Sequence, residues 1–243
     1  MNEQKSKRWF GDWIRPDQFA PTVIMLSATV LLLAWWYFVA RDWHRWVSQP
    51  WPSWFEGMND PRFAGGVYEM LAAFVLLGVI PLLIAVAILR RRPSDYGLCL
   101  GDRVKTFRSA ALSIPLFVLA AYIASGDPSV QATYPLNPAA GDSAGAFAMH
   151  VASYLLFYLG WEFMFRGYLL FGLADRYGVA AAMMIQVMAS ALIHVGKPPI
   201  ETFLAIPVGL YWGWIALRTR SIVSSFLQHA ALGIATDAFI VFR

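Results

Sequence analysis

Charge and cysteine are what this sequence has least of. Only 14% of its 243 residues are Asp, Glu, Lys or Arg, where a soluble domain carries about 25%. The chain therefore lacks the polar residues needed to cover a water-facing surface. Apolar residues make up 58% of it, and mean hydropathy is +0.52. The single cysteine, Cys99, allows no internal disulfide and fits no cysteine-based metal pattern, which excludes disulfide scaffolds and zinc knuckles. The basic N-terminal stretch is interrupted by Asp12, Pro16 and Asp17 before any apolar run begins, so no cleavable signal peptide is expected. Internal repeats and low-complexity tracts are also missing from the sequence.

What the chain does have is long apolar runs. Seven can be read, at about 21–40, 67–89, 109–125, 146–175, 179–195, 200–217 and 221–241. A helical span takes roughly 20 residues, so these runs use most of the chain. The expected fold is all-α: a polytopic transmembrane helical bundle of about seven spans, residues 1–243 forming one membrane domain. Within it, 1–125 supplies N-terminal spans and amphipathic interfacial segments. The third run is short and contains Pro115, which makes it the weakest of the seven.

Net charge is +4, but the basic residues cluster beside apolar runs rather than forming a nucleic-acid surface, so no nucleic-acid partner is expected. Lys5, Lys7, Arg8 and Arg15 precede the first run. Arg90, Arg91, Arg92, Arg103, Lys105 and Arg108 follow the second, and Arg176, Arg218 and Arg220 follow the fourth and sixth. The 125–145 loop has no Lys or Arg. This alternation predicts a cytoplasmic N-terminus, seven crossings and an external C-terminus; the expected location is a bacterial inner membrane. Trp43, Trp46, Trp51 and Trp54 read as an interfacial anchor, and His44 beside them as a solvated side chain.

Ionisable groups inside spans are costly and mark candidate functional sites. Those present are Glu69, Glu162, Arg166, His194, His229 and Asp237, with His150 near the end of its run. Glu69 and His150 lie close enough to span ends to reach the interface. Glu162 and Arg166 stand four apart on one helix face. Glu162 with His194 and His229 forms a set suited to peptide-bond hydrolysis. A carboxylate in a low-dielectric site can take a proton from water, and imidazoles can orient the water or stabilise the oxyanion. The same trio is also a zinc ligand set. HExxH is absent, however, and two His on separate helices do not require a metal; no cofactor is therefore expected, with zinc as the alternative. Asp237, two turns beyond His229, is placed to orient an imidazole or act as base. Glu201 follows Lys197, Pro198 and Pro199 and is read as an acidic group at a helix N-terminus.

The run WEFMFRGYLLFGL, a following His-bearing helix, the later SIVSSFLQHA and the upstream RRPSDYGLCLGD together resemble the CPBP family, the type II CAAX prenyl endopeptidases and related bacteriocin-processing proteins. The resemblance covers mainly 146–241. It implies an intramembrane protease whose Glu and His residues surround a water-accessible cavity, with a peptide or membrane-protein substrate. The family's first motif is two adjacent Glu, three residues, then Arg. Glu162 and Arg166 match, but Trp161 stands at the first Glu, the one usually assigned to water activation. His194 matches the family's second motif, with Ser190 in place of Phe. His229 matches the third, with Gly233 in place of Asn. The expected function is an integral-membrane endopeptidase with Glu162, His194 and His229 as catalytic residues and Arg166, Asp237 and Glu201 supporting. The alternative is a catalytically degenerate chaperone, immunity or scaffold protein. A proton or ion transporter is a third reading, disfavoured by the lack of inverted repeats.

Overall fold

The computed structural model describes residues 16–40 and 61–243, and the regular elements among them are helical. The basic N-terminal residues up to Arg15 and the loop with His44 and the four tryptophans lie outside the described residues. Helix α1 is Pro16–Trp35, continuing as a wider π-turn over Trp36–Ala40. Helix α2 is Pro61–Phe74, extended through alternating π and α turns to Ile88. Then come α3 (Arg103–Ala124), α4 (Ala144–Glu162, running into a π-helical stretch Phe163–Phe171), α5 (Gly172–Ile193), α6 (Pro199–Thr219) and α7 (Val223–Phe242). The fold is all-α, with these seven long helices among the described residues. Six helical stretches among the described residues are long and apolar enough to cross a membrane, with α4 and α5 forming one stretch of 50 residues.

That stretch cannot be one straight rod. At 1.5 Å per residue it would run about 75 Å, against roughly 30 Å of hydrocarbon. It breaks at Gly178, whose φ of 80° and ψ of 158° lie in a region essentially reserved for glycine. Trp161 and His194 stand nearly equidistant in sequence from Gly178, and their rings meet at 5.5 Å. The chain therefore doubles back there, and its two arms correspond to the runs expected at 146–175 and 179–195.

The weakest expected run is a full helix. Asp102 caps α3 by accepting from the Lys105 backbone N–H at 3.1 Å, satisfying one of the free donors of the first turn. Pro115 is held inside the helix, as lipid-spanning helices tolerate.

Polarity in the bundle is inverted relative to a soluble protein. Leu26, Leu112, Leu116 and Phe203 are exposed, while Glu162, Arg166, Gln186, Gln228, His150 and Asp237 are fully buried. Helix α3 packs along α7, α2 against α4, and α5 against α6. On the α1 side an aromatic wall forms: Trp161 stacks on Phe157 at 5.5 Å and meets the edge of Trp35 at 5.3 Å. The RRPSDYGLCLGD stretch between α2 and α3 is fastened to the α6–α7 turn. Ile222 N–H donates to the Gly97 carbonyl at 3.0 Å, and Asp102 N–H donates to Thr219 at 2.9 Å.

Candidate functional site

Glu162 is the last residue of α4 before the π-helical stretch, and its side chain is completely buried. Its Oε1 accepts from His229 Nδ1 at 2.8 Å and lies 3.2 Å from an Arg166 guanidinium nitrogen. Arg166 follows within the wide turn, so the four-residue spacing leaves both groups on one face. The guanidinium also lies 5.3 Å above the Trp212 ring. Buried charges persist when paired in this way, although an apolar pair of the same shape is often as stable.

His229, from the middle of α7, is held between two rings. Tyr158 and Trp212 each lie 4.4 Å from it, centroid to centroid. Trp212 is itself fixed, since its Nε1–H donates to Gln228 Oε1 at 3.1 Å; Gln228 donates to Ser224 at 2.9 Å, and Ser224 meets Ser109 of α3 at 2.7 Å. With Nδ1–H directed at Glu162, the Nε2 of His229 is the nitrogen left for other partners.

His194 closes α5. Its Nδ1 donates to the Ser190 carbonyl at 2.6 Å, which makes Nε2 the acceptor of the neutral ring. Serine at 190 is buried and supplies this carbonyl. The Nε2 lies 3.8 Å from Glu201 Oε1. Glu201 sits in the first turn of α6, yet it caps no backbone group there. Instead it accepts from Tyr134 at 2.7 Å, and Tyr134 in turn accepts from Lys197 Nζ at 2.8 Å. Burial, then the carboxylate beside it, push the Tyr134 phenol well above its ordinary pKa, so it remains the donor in this pair.

These residues surround a cavity of about 470 Å³. His194, His229, Arg166, Tyr158, Trp161 and Glu201 are among its lining residues. Phe117, Leu204 and Leu232 contribute to a largely apolar remainder. Glu162 lies behind this surface, in contact with it through His229 and Arg166. Among the described residues, no three His, Cys, Asp or Glu side chains come together as a ligand set for a metal ion.

Two expectations are corrected. His150 does not reach the interface: it is fully buried, with Nε2 2.7 Å from Asp237 Oδ2. Asp237 accordingly orients His150 and not His229, although both His229 and Asp237 project from α7. Glu69 is likewise buried. Sequence reasoning did not single out Tyr134 and Tyr158, because a tyrosine in an apolar chain carries no pattern of its own. The proline-rich YPLNP turn was the one sign that the 125–145 loop folds inward.

Gly233 carries the third departure from the expected motif, and its surroundings account for it. A Cβ there would overlap the Tyr158 hydroxyl and ring, so the tyrosine fills the space a larger residue would take.

Residues 143–235, less than half of the chain, match the model of a protein family described as Rce1-like, type II CAAX prenyl endopeptidase Rce1-like. No curated protein and no solved structure matches the chain.

Proposed function

We propose that the protein is an integral-membrane endopeptidase that hydrolyses a peptide bond in a membrane-associated peptide or protein. The observation that carries this reading is the pair of imidazoles on one cavity, each with Nδ1 committed to a protein acceptor, Glu162 for His229 and the Ser190 carbonyl for His194. Each Nε2 is thereby available to chemistry. Protonated, with its Nδ1–H on the Glu162 carboxylate, His229 can donate from Nε2 to the oxygen of a tetrahedral intermediate. Arg166 adds positive charge to the same wall. His194, as an acceptor, orients the attacking water. The largely apolar remainder of the cavity suits a substrate with a lipid-like segment, in keeping with the prenyl endopeptidase family matched by residues 143–235.

The test uses purified protein in lipid nanodiscs and a farnesylated Cys-aliphatic-aliphatic-X peptide, with fluorophore and quencher on either side of the Cys. Cleavage by wild type and its loss in His194→Ala, His229→Ala and Glu162→Ala is the expected result. Full cleavage by all three variants overturns the site.

A second reading, a non-catalytic membrane chaperone, immunity or scaffold protein, rests on Trp161 and on the Glu162–Arg166 ion pair. It predicts peptide binding at the cavity without cleavage.

A further inference from the structure

Resting on the hydrolytic reading above, we propose that Glu201 is the base that takes the proton from the attacking water. The site needs such a group, and the two expected positions do not supply it. Trp161 offers only an indole N–H, which donates and cannot accept. Glu162 is buried behind the cavity wall, and the oxygen it turns toward the wall already receives His229 and faces Arg166.

Two carboxylates belong to residues lining the cavity, Asp127 and Glu201. Asp127 is committed to its own chain: its Oδ1 accepts from Ser129 N–H at 2.7 Å and from Ser129 Oγ at 2.6 Å, capping the turn Pro128–Gln131. Glu201 is different. Its side chain is 26% exposed, and its Oε1 stands 3.8 Å from the accepting Nε2 of His194. That separation is too long for a direct hydrogen bond. It suits one bridging water that donates an O–H to each acceptor. A water held in this way turns its lone pairs toward the cavity.

The surroundings keep the carboxylate in place. Pro198 and Pro199 set the start of α6, so Glu201 falls in its first turn. Tyr134 donates to Oε1, and Lys197 Nζ lies 3.9 Å away. Glu201 thus reaches His194 Nε2 from the neighbouring helix α6.

In the reaction, the water oxygen bonds to the substrate carbonyl carbon as one of its protons passes to Glu201. The carbonyl π electrons move to oxygen, and His229 Nε2–H holds the resulting oxyanion. When the carbonyl re-forms, the C–N bond breaks and Glu201 returns its proton to the leaving nitrogen. The products are a carboxylic acid and an amine; nothing is oxidised or reduced, and water is the only co-reactant.

The experiment compares wild type, Glu201→Gln and Glu201→Ala on the farnesylated quenched peptide in nanodiscs. Glutamine keeps an oxygen for Tyr134 to donate to, and unfolding temperature checks that the fold survives. The expected result is a fall in kcat of about 10²–10⁴-fold in Glu201→Gln with KM little changed, and partial recovery of Glu201→Ala by added formate. Formate supplies a small carboxylate that a purely structural role would not register. If wild type cleaves and Glu201→Gln cleaves at a comparable rate, or formate restores nothing, the assignment to Glu201 is overturned while the hydrolytic reading stands. If folded wild type cleaves nothing, the hydrolytic reading fails and takes Glu201 with it.

Discussion

The phenol of Tyr158 occupies the space into which a side chain at Gly233 would grow, one helix filling the gap left in another. Gly233→Ala should therefore overpack the α4–α7 contact, at a cost of about 1–3 kcal/mol. Thermal unfolding in detergent should show a lower midpoint. In a Tyr158→Ala background the same substitution should cost much less. An equal cost in both backgrounds would show that the tyrosine is not the reason for glycine here.

Gly178 should be intolerant for a different reason. Beyond its chain neighbours and the adjoining helix backbone, no atom lies within 4 Å of a Cβ placed there, so the penalty of Gly178→Ala comes from the backbone angles, about 1–3 kcal/mol. No substitution in a neighbouring side chain should relieve it. Unfolding midpoints of Gly178→Ala alone and combined with changes in nearby residues will separate the two kinds of glycine.

The buried ion pair predicts an asymmetry. Glu162→Leu leaves the Arg166 guanidinium buried without its carboxylate and should cost about 3–5 kcal/mol. Glu162→Leu combined with Arg166→Met should recover most of that loss in stability while still failing to cleave peptide. A double variant no more stable than the single one would mean that the unpaired guanidinium is not the source of the loss.

At the membrane edge, the Lys105 side chain and backbone N–H hold the Asp102 carboxyl below its ordinary pKa. A depressed carboxylate stabilises the folded state above its unfolded pKa, near 3.9, and that contribution is lost as pH falls through the lower folded value. Hydrogen exchange at the start of α3 should therefore speed up on acidification below about pH 4. Asp102→Ala should show fast exchange at every pH.

Much of this architecture was legible in the order of residues, because a span announces itself by length and apolarity alone. The turn at Gly178 was visible as a break between two runs, and the Glu162–Arg166 spacing fixed both groups on one face. Partners across helices were not legible. Asp237 shares a helix with His229, yet packing gives it to His150, two helices joined by contacts that no periodicity encodes. Glu201 read as an ordinary acidic residue at a helix start; only the inward fold of the 125–145 loop, which brings Tyr134 to it, places it at the cavity. Trp161 looked like a simple loss of chemistry, whereas in the fold it also anchors an aromatic wall against α1.

The hairpin at Gly178 has a consequence for the lipid around it. Its second arm, residues 179–193, rises only about 22 Å, short of the roughly 30 Å of hydrocarbon it borders. Lipid meets such a mismatch by thinning locally or by letting flanking polar groups reach inward. Lys197 and Glu201 stand just past the end of this arm, and a bilayer thinned there would bring headgroup water toward the cavity that His194 and Glu201 line.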